Sequence, residues 1–181
     1  MKYKILTLLC STLVLAGCDQ VKSMTGSGVS CSNETAKELV VETFSKSVSN
    51  SAAERVKALI SEENITIDMG KLRAALKQIT FNVTDVRTNS SDPNSKKEYC
   101  ATQFIVNVPG QMIKDADTAR AVYNENNIAQ AAVLSDLTLE ANQLKKELEY
   151  IVQPTDDGQK VYVTLENPDA LAIFVRDIAI D

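Results

Sequence analysis

This 181-residue chain has no histidine, which leaves cysteines and carboxylates as the first residues to weigh for chemistry. Without an imidazole, the commonest general base, the Ser-His-Asp arrangement and the usual zinc and copper ligand sets are missing. No Gly-x-Ser-x-Gly, Walker loop or dinucleotide fingerprint occurs, and six glycines leave little material for a phosphate cradle. Acids cluster at three places. Asp156-Asp157 stand before Gly158 in a stretch that reads as a turn, where an Asp side chain bonds nearby backbone. Glu62-Glu63 read as the solvated end of a helix. Asp115 and Asp117 carry the start of a calcium loop without its further oxygens or its Gly. On this reading the chain has no catalytic residue, no metal ligand and no cofactor to assign. The enzymatic alternative is a pair of carboxylates meeting in a cleft to hydrolyse a glycoside.

Four cysteines remain to be placed: Cys10, Cys18, Cys31 and Cys100. Lys2 and Lys4 form a short basic start, and Ile5 to Leu15 is an apolar run broken only by Thr7, Ser11 and Thr12. That run has the length of a signal-peptide core and is too short to span a bilayer of roughly 30 Å. It ends in Leu15-Ala16-Gly17-Cys18, which resembles the lipobox of bacterial lipoproteins. The resemblance covers the first 18 residues. It implies cleavage after residue 17, a diacylglyceryl group on the Cys18 thiol and acylation (typically palmitate) of the new amine. Each buried CH₂ contributes about 0.8 kcal/mol, so two or three chains hold a protein firmly where one binds reversibly. Asp19, directly after the cysteine, resembles an inner-membrane retention signal of enterobacterial lipoproteins. The expected location is the cell envelope, lipid-anchored and facing the periplasm, with the inner membrane favoured over the outer.

Cys10 leaves with the signal peptide and Cys18 carries lipid, so Cys31 and Cys100 are left as a pair. In an oxidising compartment an even pair is most simply a disulfide. Closing a loop of about 70 residues contributes about 4 kcal/mol in the chain-entropy picture. The wide separation and the lack of a Cys-x-x-Cys motif favour structure over redox work.

Cleavage removes two of the 19 basic residues and none of the 24 acidic ones, leaving a formal charge of −7. No basic face for nucleic acid is visible; Lys96-Lys97 and Lys145-Lys146 each stand beside acids. An acidic body suits a cationic protein partner and does not adhere to anionic lipid. The four Asn-x-Ser/Thr sites, at Asn33, Asn64, Asn82 and Asn89, read as incidental in a bacterial lipoprotein.

Three segments follow: 1–17 as signal peptide, 18–30 as lipidated cysteine and flexible tether, at most about 40 Å long, and 31–181 as one globular domain. Within the domain, Ala36, Leu39, Val40, Phe44 and Val48 predict a helix over about 33–48, capped by Ser32, Asn33 or Thr35. Ser51-x-x-Glu54 reads as a capping box opening a second helix, and Leu72, Ala75 and Leu76 mark a third. Ile79, Phe81 and Val83 alternate as a strand, Thr88 to Lys97 read as a hairpin loop, and Cys100, Thr102, Phe104, Val106 and Val108 share the core side of the next strand. Gln111 to about Ala141 reads as one broken helix or two. Leu148, Tyr150 and Val152, then a tight turn and Val161, Val163 and Leu165, predict a second hairpin. Asn167-Pro168 opens a last helix with Leu171, Phe174, Val175 and Ile178 as its stripe. Tyr150 belongs to the core; Tyr162 lies opposite the Val161/Val163 face, either exposed or under a helix, and with Tyr99 and Tyr123 is a candidate for a binding surface.

The expected fold is α+β: helices packed on a curved antiparallel sheet of about four strands, broadly cystatin-like in the order of its elements. That likeness transfers no function. The expected role is a membrane-tethered, non-catalytic module that binds another protein, as an inhibitor, immunity, exclusion or envelope-assembly accessory. The alternative is a carrier with a small-ligand pocket. Replacing Cys18→Ser should abolish palmitate incorporation and leave residues 1–17 attached, as read by metabolic labelling and intact mass; continued labelling would remove the anchor from the picture.

Overall fold

The computed structural model describes residues 29–63 and 68–180. The signal segment, Cys18, Asp19, residues 20–28 of the tether, and Asn64 lie outside the described residues. The body begins slightly earlier than its composition suggests, because Val29 is already buried in the core.

Helix α1 spans Glu34–Glu63 without a break, where the sequence predicts two helices parted near Asn50. Asn33 Oδ1 accepts the Thr35 N–H at 2.9 Å and so caps its start. The helix continues through Ser49-Asn50-Ser51 because apolar residues recur every four positions across that stretch. Ala36, Val40, Phe44, Val48, Ala52 and Val56 are all buried. The Ser51 hydroxyl is engaged elsewhere: it accepts Arg176 Nη1–H at 3.2 Å rather than capping a new helix. A four-residue step overshoots one turn by roughly 40°, so the buried stripe winds around the axis. Its first half faces the sheet and its second half a smaller cluster of Ala52, Val56 and Leu72.

Helix α2, Met69–Leu76, is capped by Asp68, whose carboxylate accepts the N–H groups of Gly70 and Lys71. Strand β1, Thr80–Asp92, pairs antiparallel with β2, Lys97–Asn107. The expected loop at Thr88–Lys97 shrinks to a turn over 93–96. The polar stretch from Thr88 to Asp92 pairs with the Lys97–Cys100 backbone, so the ladder outweighs weak strand propensity. Two bulges interrupt β1. At the first, Asp85 and Val86 face the single residue Thr102, and Asp85 takes φ 51°. The Thr84 carbonyl accepts the hydroxyl of Thr102, a fully buried polar residue, at 2.6 Å.

The segment after β2 forms α3, Gly110–Val122, and α4, Ile128–Leu134, followed by a strand that the sequence hides: β3, Thr138–Glu140. Both helices end with a non-glycine residue in the left-handed region, Asn124 at φ 57° and Asp136 at φ 56°. The N–H groups of Glu125 and Leu137 reach back to the carbonyls of Arg120 and Ala132. Ala141, at φ 53°, begins the two-residue turn from β3 into β4, Gln143–Pro154. A glycine would mark such a turn; an alanine conceals it. Strand β5, Val161–Glu166, and helix α5, Asp169–Ile180, complete the chain.

The sheet therefore has five strands in the order β1-β2-β4, with the far edge of β4 shared by β3 and β5. It is all antiparallel, and the described residues form an α+β fold with helices packed on a curved sheet. Facing the helices, Phe44 meets Phe104 and Phe81 at ring-centroid distances of 4.6 and 5.3 Å. Phe44→Ala should cost about 3–5 kcal/mol of unfolding free energy, whereas Tyr162→Ala on the open face should stay within about 0.5 kcal/mol. Urea titration of the disulfide-bonded protein reads both, and equal costs would contradict the assigned core.

Candidate functional site

The residues singled out by type divide between the frame and the surface. Cys31 and Cys100 form a disulfide with a Cα–Cα distance of 5.7 Å. Cys100 pairs in register with Tyr150 on β4, and the buried Tyr150 hydroxyl donates to the Cys31 carbonyl at 2.8 Å. The start of α1 is thus tied to two adjacent strands at one level. Burial pushes the Tyr150 hydroxyl up to about 12.

The acids hold local structure. Asp157 accepts the Thr155 hydroxyl and, at 3.0 Å, the Gln159 N–H, and both bonds lower its pKa. Gly158 closes that turn at φ 68°. Asp92 is held low in the same way by Ser95 and Asn94 in the first hairpin. Asp117 accepts the first N–H of α4, from Ile128, at 2.6 Å, while Asp115 accepts the side-chain amide of Gln111. They serve separate partners. Glu62 is exposed at the end of α1. Among the described residues no group of three or more His, Cys, Asp or Glu side chains is placed to hold a metal ion.

On the open face of the sheet, Arg87 bridges to Glu147 at 2.6 Å, and Glu147 with Glu149 raises the guanidinium pKa above its ordinary value. Tyr162 is 60% exposed and Tyr99 36%, while Tyr123 is exposed beyond the end of α3. The structure does not gather these tyrosines into a cleft; Tyr99 and Tyr162 sit on different strands and Tyr123 on a helix end.

What the structure does assemble is a groove of about 1020 Å³ between α1, α2 and the start of β1. Its apolar floor is formed by Val41, Leu76, Phe81 and Val83, all half-buried and packed on the core, with Ile79, Leu72 and Met69 beside them. One wall is the flank of α1 that carries Glu34, Glu38 and Glu42 at four-residue spacing. Lys37 pairs with Glu34 at 2.6 Å and Lys46 with Glu42 at 2.5 Å, and Glu38 has no ion-pair partner among the described residues. The opposite wall is α2, where Arg73 and Lys77 are exposed and likewise without an ion-pair partner among the described residues. The two walls have distinct ends. Phe44 meets Phe81, while Ala52 and Val56 meet Leu72. The cationic wall therefore stands at the Ile79 end of the groove, and Glu34 and Glu38 at the other.

Sequence reasoning passes over this groove because its floor mixes with the core. Val40 and Val41 are adjacent valines; Val40 is buried and Val41 lines the groove. A visible signal is the second apolar position beside the stripe of α1, together with Arg73 and Lys77 one turn apart at the C-terminal end of α2, a place where the helix dipole also favours cations.

Tyr150→Phe leaves the Cys31 carbonyl buried without its donor, at a cost of about 1–3 kcal/mol. It should also change the alkaline limb of stability. The folded pKa lies above the unfolded value near 10, so the contribution is complete below pH 10 and is lost as pH rises toward 12. Denaturation from pH 8 to 12 should show the variant losing less stability in that window; parallel curves would contradict the role given to burial.

Compared with protein-family models, curated proteins and solved structures, the chain matches none, so the cystatin-like order stays an analogy and the groove alone carries the functional reading.

Proposed function

We propose that the protein is a non-catalytic binding module, tethered through lipid on Cys18 to the envelope membrane and facing the periplasm, that receives a polypeptide partner in the groove between α1, α2 and β1. The carrying observation is the groove itself: an apolar floor open to solvent, set between walls whose charges are not all satisfied internally. Apolar floors of this kind bury side chains of a partner, and charged rims choose among partners and fix orientation. A disulfide suits an oxidising compartment, and the lipobox resemblance supplies the tether. Asp19 favours retention at the inner membrane.

A small-ligand carrier is the second reading, and one observation favours it. Arg73 and Lys77 beside an apolar floor would also suit an amphiphile with an anionic head. No described acid cluster favours the carboxylate hydrolase, since the acids singled out in sequence serve turns and helix ends.

The two readings separate by photo-crosslinking in intact cells. A photoreactive residue at Val41 in the groove should yield an adduct with a discrete polypeptide, and one at Thr164 on the open sheet face should not. A lipid-only adduct from Val41 would favour the carrier. No adduct, or equal yields at both positions, would count against the groove as the binding site.

A further inference from the structure

The groove lies against a free sheet edge, and that pairing of features specifies more than an apolar pocket does. β1 is the terminal strand of the sheet, and no described strand pairs with its outer side. In an antiparallel pair, alternate residues direct both N–H and C=O away from their partner strand. Over Thr80–Thr84 the register with β2 is unbroken, and the bulge at Asp85-Val86 ends this flat stretch. Phe81 and Val83, on the groove side of this segment, form part of the floor, and Asn82 between them also lines the groove. The unpaired amides and the apolar floor therefore belong to one site.

We propose that the groove takes an extended polypeptide segment that adds a strand to the Thr80–Thr84 edge of β1, with apolar side chains at every second position on the floor and end charges set by the two walls. This rests on the reading of the groove as a polypeptide-binding site and names the form in which the polypeptide binds. An amphipathic helix could use the floor but would leave the edge amides unmet. An acyl chain with an anionic head could meet Arg73 and Lys77 but would leave the amides and Glu38 unused. Strand addition uses all three features: main-chain bonds supply affinity, and alternate pockets supply specificity. The charge placement also orients the segment. Its end beside Ile79 should be acidic, facing Arg73 and Lys77, and its end beside the first turns of α1 should carry a cation toward Glu38.

The length of the flat stretch limits the segment. Five residues of β1 pair with about five of the partner, near the common length of strands in folded proteins. A longer partner strand would meet the bulge, where the backbone of β1 turns away from the ladder.

The test is selection of displayed random heptapeptides on the full chain, followed by synthesis of the enriched sequences. The expected result is enrichment with period-two apolar residues, an acid near one end and a base near the other. N-methylation of a single peptide amide should weaken binding about fivefold where that amide faces β1 and less than about twofold at the next position, since one lost bond is worth about 1 kcal/mol. The double variant R73E/K77E should weaken the selected peptides about tenfold, with recovery when their acidic residue is exchanged for lysine. Enrichment with a helical i, i+3, i+4 pattern, or N-methylation without phase dependence, would overturn strand addition while leaving the groove a polypeptide site. Failure to enrich any peptide, with dodecanoate bound instead, would overturn both readings. Self-association of the chain through the β1 edge, seen by sedimentation and removed by the selected peptide, would assign the edge to a second copy and overturn the partner proposed.

Discussion

The backbone of Cys31 is the point on which the arrangement of layers depends. Its sulfur is bonded to Cys100 on β2, and its carbonyl accepts the hydroxyl of Tyr150 on β4. Those two residues are direct partners in the ladder. A single position just before the first helix is therefore fixed against two strands at once, and the direction of α1 across the sheet follows. A disulfide alone leaves rotation about its bonds; the hydrogen bond from the neighbouring strand removes much of that freedom. Because both contacts are buried, losing either one leaves a desolvated group or a void where the helix enters.

From that anchor, a four-residue repeat on α1 does the remaining positioning. A stripe at 3.6-residue spacing would keep one face on the sheet for the whole length of the helix. The stricter spacing of Ala36 through Val56 turns the buried face as the helix advances, so its second half meets α2 and α5 instead. The flank left uncovered by that rotation is the one that carries Val41 and the glutamate row. The groove is thus a by-product of how the stripe winds, with its floor completed by the first strand.

Sequence reading recovered what periodicity and counting can report. The pairing of Cys31 with Cys100 followed from elimination, the inward place of Tyr150 from alternation, and the stripe of α5 from helical spacing, and each is found in the structure. Failures occurred where a local signal was outweighed or missing. Ser51 and Glu54 have the form of a cap, but burial of Val48, Ala52 and Val56 carries the helix through them. β3 is three residues long and turns on an alanine in a glycine-like conformation, so neither its length nor its turn announced it. The groove was invisible because it depends on which of two neighbouring valines faces the sheet, a matter decided by the whole helix and not by its local pattern.

The two apolar clusters differ in size, and the difference divides the molecule's resistance to opening. The larger one is closed by the disulfide and holds all four phenylalanines, Phe44, Phe81, Phe104 and Phe174, while the smaller holds Ala52, Val56 and Leu72 as its buried members. Free energies of partial unfolding follow the apolar contacts that must be broken. The part of α1 beyond Val48, together with α2, accordingly has the fewest such contacts to break, and Leu76 and Ala179, which pack against both clusters, couple it to the cross-linked layer. Since α2 carries one wall of the groove, that wall is the less braced side of the site, while the strand on its floor is laddered to the disulfide-linked strand, so a firm template faces a more yielding clamp.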